Sequence, residues 1–166
     1  MSWLFGERMK IALIVLGLAF HLTSLADDRF PIGPDSKLTP GSLCARGNSH
    51  RYPENIPYCN RSVSSGRKKD IIHDYDAILG YHVSEMNRQL FKIDHYIPLC
   101  MGGSNETSNL WPQHESVYNI TDPLEGAACI KMAEGRLLQR DAVQLIREGK
   151  ADLKKARSIL EYIQNL

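Results

Sequence analysis

The sequence predicts one α+β domain, and three stretches carry that prediction. Residues 90–99, "LFKIDHYIPL", alternate enough to form a strand that breaks at Pro98. After the loop "MGGSNETS", the segment "NLWPQ" reads as a short second strand. Helical periodicity governs 65–79 and returns after 122. A chain of 166 residues with 43% hydrophobic and 23% charged residues can bury one core and is too short for several domains.

The amino terminus stands apart from this domain. In "MKIALIVLGLAFHLTSLA", Lys10 precedes an unbroken apolar run from Ile11 to Phe20, and Ser24-Leu25-Ala26 ends it with small residues where a signal peptidase reads. Residues 1–26 are therefore predicted to be a signal peptide cleaved after Ala26, the alternative being an uncleaved anchor. Cleavage implies a secreted or periplasmic protein with no stable membrane association. Residues 27–42, rich in Pro, Gly, Asp and Ser, read as a linker or extended arm, leaving 43–166 as the folded domain.

Export places Cys44, Cys59, Cys100 and Cys129 in an oxidising compartment, where two disulfides form in any of three pairings; buried free thiols are the alternative. No two of them are spaced as a CxxC zinc knuckle. The segment 43–65 reads as loops with short strands. "SGRKKDIIHDYDAIL" is predicted to be a helix with Ile71, Ile72, Tyr75 and Leu79 on one face. In "TDPLE", Asp122 reads as an N-cap, with Pro123 at the first helical position and Glu125 three residues beyond the cap. Leu124, Ala128 and Met132 keep the period up to Gly135. Two further helices, about 139–148 and 151–164, turn Leu145, Ile146, Leu153, Ala156, Ile159, Leu160 and Ile163 inward. Trp111 is expected in the core.

The formal charge is +1, and loss of residues 1–26 brings it near zero, so net charge argues for no class of partner. Its distribution says more: eight Lys or Arg against five acids from 41 to 92, then eight against ten from 93 onward. The modestly basic first half suits phosphate contact through Arg61, Arg67, Lys68, Lys69 and Lys92.

The candidate chemistry is concentrated in "DHYIPLCMGGSNETSNLWPQH", residues 94–114. Phosphodiester hydrolysis needs a base to activate water and a cation to hold the charge that develops on the phosphate. Asp94 and His95 offer a carboxylate and an imidazole side by side. Successive strand residues face opposite ways, so the two serve one site only where the strand ends or twists. Asn109 is placed to hold the loop or to orient the His95 ring.

This stretch resembles the motif of the HNH endonucleases, the ββα-metal nucleases: Asp-His, a Pro-Leu, a Gly-Gly loop, an Asn-Leu and a third His or Asn. "TPGSLC", "YCNR" and "TDPLE" with Cys129 extend the resemblance, toward small secreted or periplasmic bacterial members, over most of 39–150. It implies a ββα-metal core with disulfide-tied N-terminal loops and C-terminal helices. It also implies His95 as general base, Asp94 as ligand of a divalent ion (Mg²⁺, with Mn²⁺ or another as alternatives), and Asn109 in an orienting or structural role. His114 is the expected third member and second ligand, with Asn119 or Asp122 as alternatives. The implied activity is metal-dependent cleavage of DNA with little sequence preference. RNA or single strands are the alternative substrates, and a non-catalytic exported binding module is the rival of another class.

Overall fold

The computed structural model describes residues 29–166; the predicted signal peptide lies outside the described residues. Among the described residues the chain is mixed α and β, with four α-helices and two small antiparallel sheets. A first hairpin, β1 (Ser49–Arg51) with β2 (Ile56–Tyr58), is followed by α1 (Ser65–Leu79). A second hairpin pairs β3 (Phe91–His95) with β4 (Leu110–His114), and α2 (Glu115–Ala133) follows directly. Helices α3 (Gln139–Ala151) and α4 (Leu153–Gln164) close the fold.

Helix α1 forms where its period predicts. Ser64 caps it by accepting the Arg67 N–H at 3.2 Å, and Gly80 ends it in the left-handed conformation. Its buried face, Ile71, Ile72 and Tyr75, packs with Phe91, Ile93, Leu110, Trp111 and Val117. Trp111 is fully buried, as expected. The arm before Leu43 is not a free linker. Phe30 joins the same cluster, and buried Thr39 bonds the Tyr75 hydroxyl at 2.8 Å and the Leu110 carbonyl at 3.1 Å. Within α2, Leu124, Ala128 and Met132 recur every fourth residue on the face that meets α3 and α4. Ile146, Ile159 and Ile163 answer from those helices.

The start of α2 differs from expectation. It begins at Glu115, not at Asp122, and Pro123 lies inside it. The His114 ring caps the helix by accepting the Ser116 N–H at 3.2 Å, and Gln113 Nε2 donates to Thr121 Oγ1 at 2.9 Å, tying the first two turns to β4. These interactions outweigh the one backbone bond that Pro123 removes, and Asp122 is thereby freed from capping duty.

The Gly-Gly turn has a packing cause. Gly102 adopts φ +77°, and a Cβ on Gly103 would stand 1.8 Å from the Ile97 carbonyl oxygen. Asn109, wholly buried, ties the same loop: its Oδ1 accepts the Ile97 N–H at 2.8 Å, and its Nδ2 donates to the Ile97 and Ser104 carbonyls at 3.0 and 2.9 Å.

The cysteines pair as Cys44–Cys59 and Cys100–Cys129, the bonded state of an oxidising compartment. No helix among the described residues is long and apolar enough to cross a membrane. Cys100–Cys129 joins the loop after β3 to α2 across 29 residues of sequence. Replacing both cysteines by Ala is expected to cost about 3 kcal/mol in urea unfolding. A loss below about 1 kcal/mol would mean that the loop is held without the bridge.

Candidate active site

The side-chain alternation of β3 divides the candidate residues between two faces. Lys92 and Asp94 project with their register partners Gln113 and Trp111, on the side over which α2 returns. Phe91, Ile93 and His95 project with His114, Pro112 and Leu110 on the other. His95 is the last residue of the strand.

On the α2 side, Asp94, Asp122 and Glu125 each bring a carboxylate oxygen within 4.8 Å of the others. Asp122 and Glu125 lie three residues apart, nearly one helical turn, so they share a face of α2. Two ammonium groups interleave with the three acids. Lys92 Nζ pairs with both Asp122 oxygens at 2.7 and 2.8 Å, stands 3.9 Å from Asp94 Oδ1 and lies over the Tyr118 ring at 4.7 Å. Lys150, from the end of α3 and with no exposed surface, reaches Glu125 Oε1 at 2.6 Å, the His95 carbonyl at 2.6 Å and Asp94 Oδ2 at 3.2 Å. The Glu125 contact is an ion pair of poor hydrogen-bond alignment, since Oε1 has no aligned donor.

Electrostatics follow from these contacts. Burial alone would raise the Asp94 pKa, but the Lys150 and Lys92 charges prevail and hold it below the usual carboxylate range. Glu125 goes the other way: burial, aided by the Asp94 charge, raises it to about 7 against the pull of Lys150. Burial disfavours the Lys150 charge, yet Glu125 and Asp94 keep the ammonium protonated.

His95 has a separate set of partners, drawn from the disulfide-tied loops. Arg61 Nη1 stands 3.3 Å from Nδ1, and its Nη2 donates to the Ile93 carbonyl at 2.7 Å. A guanidinium only donates, so Nδ1 is the accepting nitrogen and Nε2 carries the proton, which it donates to Asn105 Oδ1 at 3.2 Å. Asn105 is itself fixed, accepting from Ser62 N at 3.1 Å and donating to the Asn60 carbonyl at 2.8 Å. The pKa of His95 is pushed down to about 4, chiefly by burial, with the hydrogen bond to Asn105 opposing and the Arg61 charge reinforcing the shift. The imidazole is neutral at pH 7 and has a lone pair on Nδ1.

Two expectations change. His114 does not join the acidic group. It lies opposite Phe91 at the far end of the hairpin, on the face away from Asp94, and its ring stacks on Phe30 at 4.2 Å and meets Phe91 edge-on at 4.9 Å. Its Nδ1 is occupied at the helix start, 2.8 Å from Ser116 Oγ. Of the two alternatives, Asp122 is in the group and Asn119 is on the exposed side of α2. Asn109, for its part, contacts loop backbone and not the His95 ring, so its role is structural.

The basic residues are dispersed. Arg67 Nη1 donates to the Asn105 carbonyl at 2.9 Å, beside the His95 partners. Lys68 and Lys69 are near the start of α1, and Lys69 faces a separate cavity with His73, Asp76 and His82. Lys92 is engaged by Asp122. Sequence reasoning missed Glu125, Asn105 and above all Lys150 as site residues. Glu125 read as a capping partner, and nothing in "REGKAD" distinguishes Lys150 from a solvated lysine.

The donor set suits a hard divalent cation, which takes carboxylate oxygens. Comparison with protein-family models, curated proteins and solved structures finds no match to this chain.

The low pKa of His95 makes stability depend on pH. The folded state binds this proton less readily than the unfolded chain, so the contribution is complete above the ordinary value of 6.5 and is lost as pH falls toward about 4. In EDTA, His95→Gln is expected to remove about 2 kcal/mol of the stability lost between pH 7.5 and pH 5 in urea unfolding. Identical pH slopes in the two proteins would contradict the burial argument.

Proposed function

We propose that the chain is a divalent-metal-dependent endonuclease of the HNH, or ββα-metal, type that hydrolyses DNA with little sequence preference. The observation that carries this reading is the end of β3. There a neutral His95 with an accepting Nδ1 directly follows an ionised Asp94, whose carboxylate is grouped with Asp122 from α2. The order hairpin then helix supports it as well, since β4 delivers the chain straight into α2.

In this reading Asp94 and Asp122 hold the ion, which supplies Lewis-acid stabilisation of the phosphate and the leaving oxygen. Arg61, exposed apart from its hydrogen bonds, leaves Nδ1 for the anionic phosphodiester. Nδ1 then accepts a proton from water, whose oxygen bonds phosphorus as the bond to the 3′ oxygen breaks. Asn105 keeps the proton on Nε2, so that Nδ1 remains the base. Lys92, once released from Asp122, is a further phosphate contact.

One observation favours the binding-module reading: each of the three acids already has a lysine partner, Lys92 or Lys150, without an ion. The two readings part in one experiment, cleavage of supercoiled plasmid by the chain from Asp27 onward with Mg²⁺, Mn²⁺ or excess EDTA. Nicking should require metal, fall about 100-fold or more in His95→Ala, and persist in His114→Ala. Cleavage by His95→Ala at the wild-type rate would refute the assignment. Parallel digestion of RNA and single-stranded DNA tests the substrate class.

A further inference from the structure

Lys150 has a place in the fold that a solvated helix residue does not have. Gly149 suits the close approach of α3 to α2: a Cβ at 149 would stand 2.5 Å from Leu124 Cδ2, so a larger residue would require that buried side chain to shift. The ammonium then has three donors and three oxygen neighbours, from Asp94, His95 and Glu125. Two of these are consecutive residues whose side chains leave the strand on opposite faces. A buried ion pair is weak evidence for stability, since apolar replacements are often as stable, and so stability alone gives little reason for a lysine here. The geometry gives a better one. Lys150 engages Asp94 through Oδ2, leaving Oδ1 on the side of Lys92 and Asp122, and it fixes the carbonyl of the residue that carries the imidazole.

We propose that Lys150 is a positioning residue: a permanent internal cation that aims Asp94 Oδ1 toward Asp122 and fixes the His95 peptide, with Glu125 as its counter-charge and not a metal ligand. For its effect on cleavage, this inference rests on the nuclease reading; its effect on metal binding is read independently.

The test compares wild type with Lys150→Met/Glu125→Gln, in which the buried lysine and its Glu125 partner are neutralised together and Asp94 keeps Lys92 as its neighbouring cation. Folding is checked by circular dichroism and thermal melting, Mn²⁺ affinity by calorimetry, and plasmid cleavage at saturating Mn²⁺. The folded double variant should bind Mn²⁺ about tenfold or more weakly, and its kcat should fall while KM for DNA stays unchanged. Wild-type Mn²⁺ affinity and kcat in a folded double variant would overturn the proposal, because a purely structural lysine moves neither.

A second measurement on wild-type protein holds even if the variant fails to fold. On titration with Mg²⁺ followed by ¹H–¹⁵N NMR, the protected Lys150 ammonium signal should persist while that of Lys92 changes. Loss of the Lys150 signal, or absence of any Mg²⁺ or Mn²⁺ binding, would also overturn the proposal. Wild-type protein that binds Mn²⁺ through Asp94 and cuts no nucleic acid would refute the nuclease reading and leave the effect of Lys150 on Asp94 to the calorimetry.

Discussion

The buried ammonium of Lys150 is the constraint on which the proposed site depends. Taking a charge out of water is expensive unless it is paired and hydrogen-bonded, so the Lys150 ammonium at the end of α3 is buried where Asp94, Glu125 and the His95 carbonyl meet it. The same contacts join three distant parts of the sequence. The strand end supplies a carboxylate and the imidazole, α2 supplies two more acids, and α3 supplies the cation between them. Gly149 packs closely against Leu124 at the same place.

The other face of the strand end is organised by the amino-terminal loops. Cys44–Cys59 anchors the stretch in which Asn60, Arg61 and Ser62 follow, and these three residues act on His95 directly or through Asn105. Both ring nitrogens are thus governed by residues beside one disulfide. The arm before Leu43 completes the enclosure through Phe30 and Thr39, which is why a Pro- and Gly-rich stretch packs and does not trail in solvent. Asp94 and His95 therefore sit side by side in sequence while obeying separate surroundings, one charged and the other neutral.

Much of the fold was legible from periodicity. The helix at 65–79, both strands of the second hairpin and the two closing helices lie where apolar spacing predicts them, because in those segments local pattern and burial agree. The start of α2 was not legible, since Asp122, Pro123 and Glu125 form a convincing N-terminal signature that tertiary contacts override. Of the candidate site, Asp94 and His95 could be named from the chain alone, and Asp122 only as one of two alternatives to His114. His114 misled because sequence proximity says nothing about strand register: it faces Phe91, and its ring is spent on aromatic packing and a helix cap. Lys150 and Asn105 were invisible because each acts across a long sequence separation, 56 residues to Asp94 for the lysine, through contacts that only the folded chain creates.

The most direct test of the proposed site is an anomalous difference map from crystals of the chain from Asp27 onward soaked in Mn²⁺. The account predicts a peak between Asp94 Oδ1 and Asp122, with Lys92 displaced and Lys150 still holding Asp94 Oδ2. A peak beside His114, or none near Asp94 at saturating Mn²⁺, would contradict it.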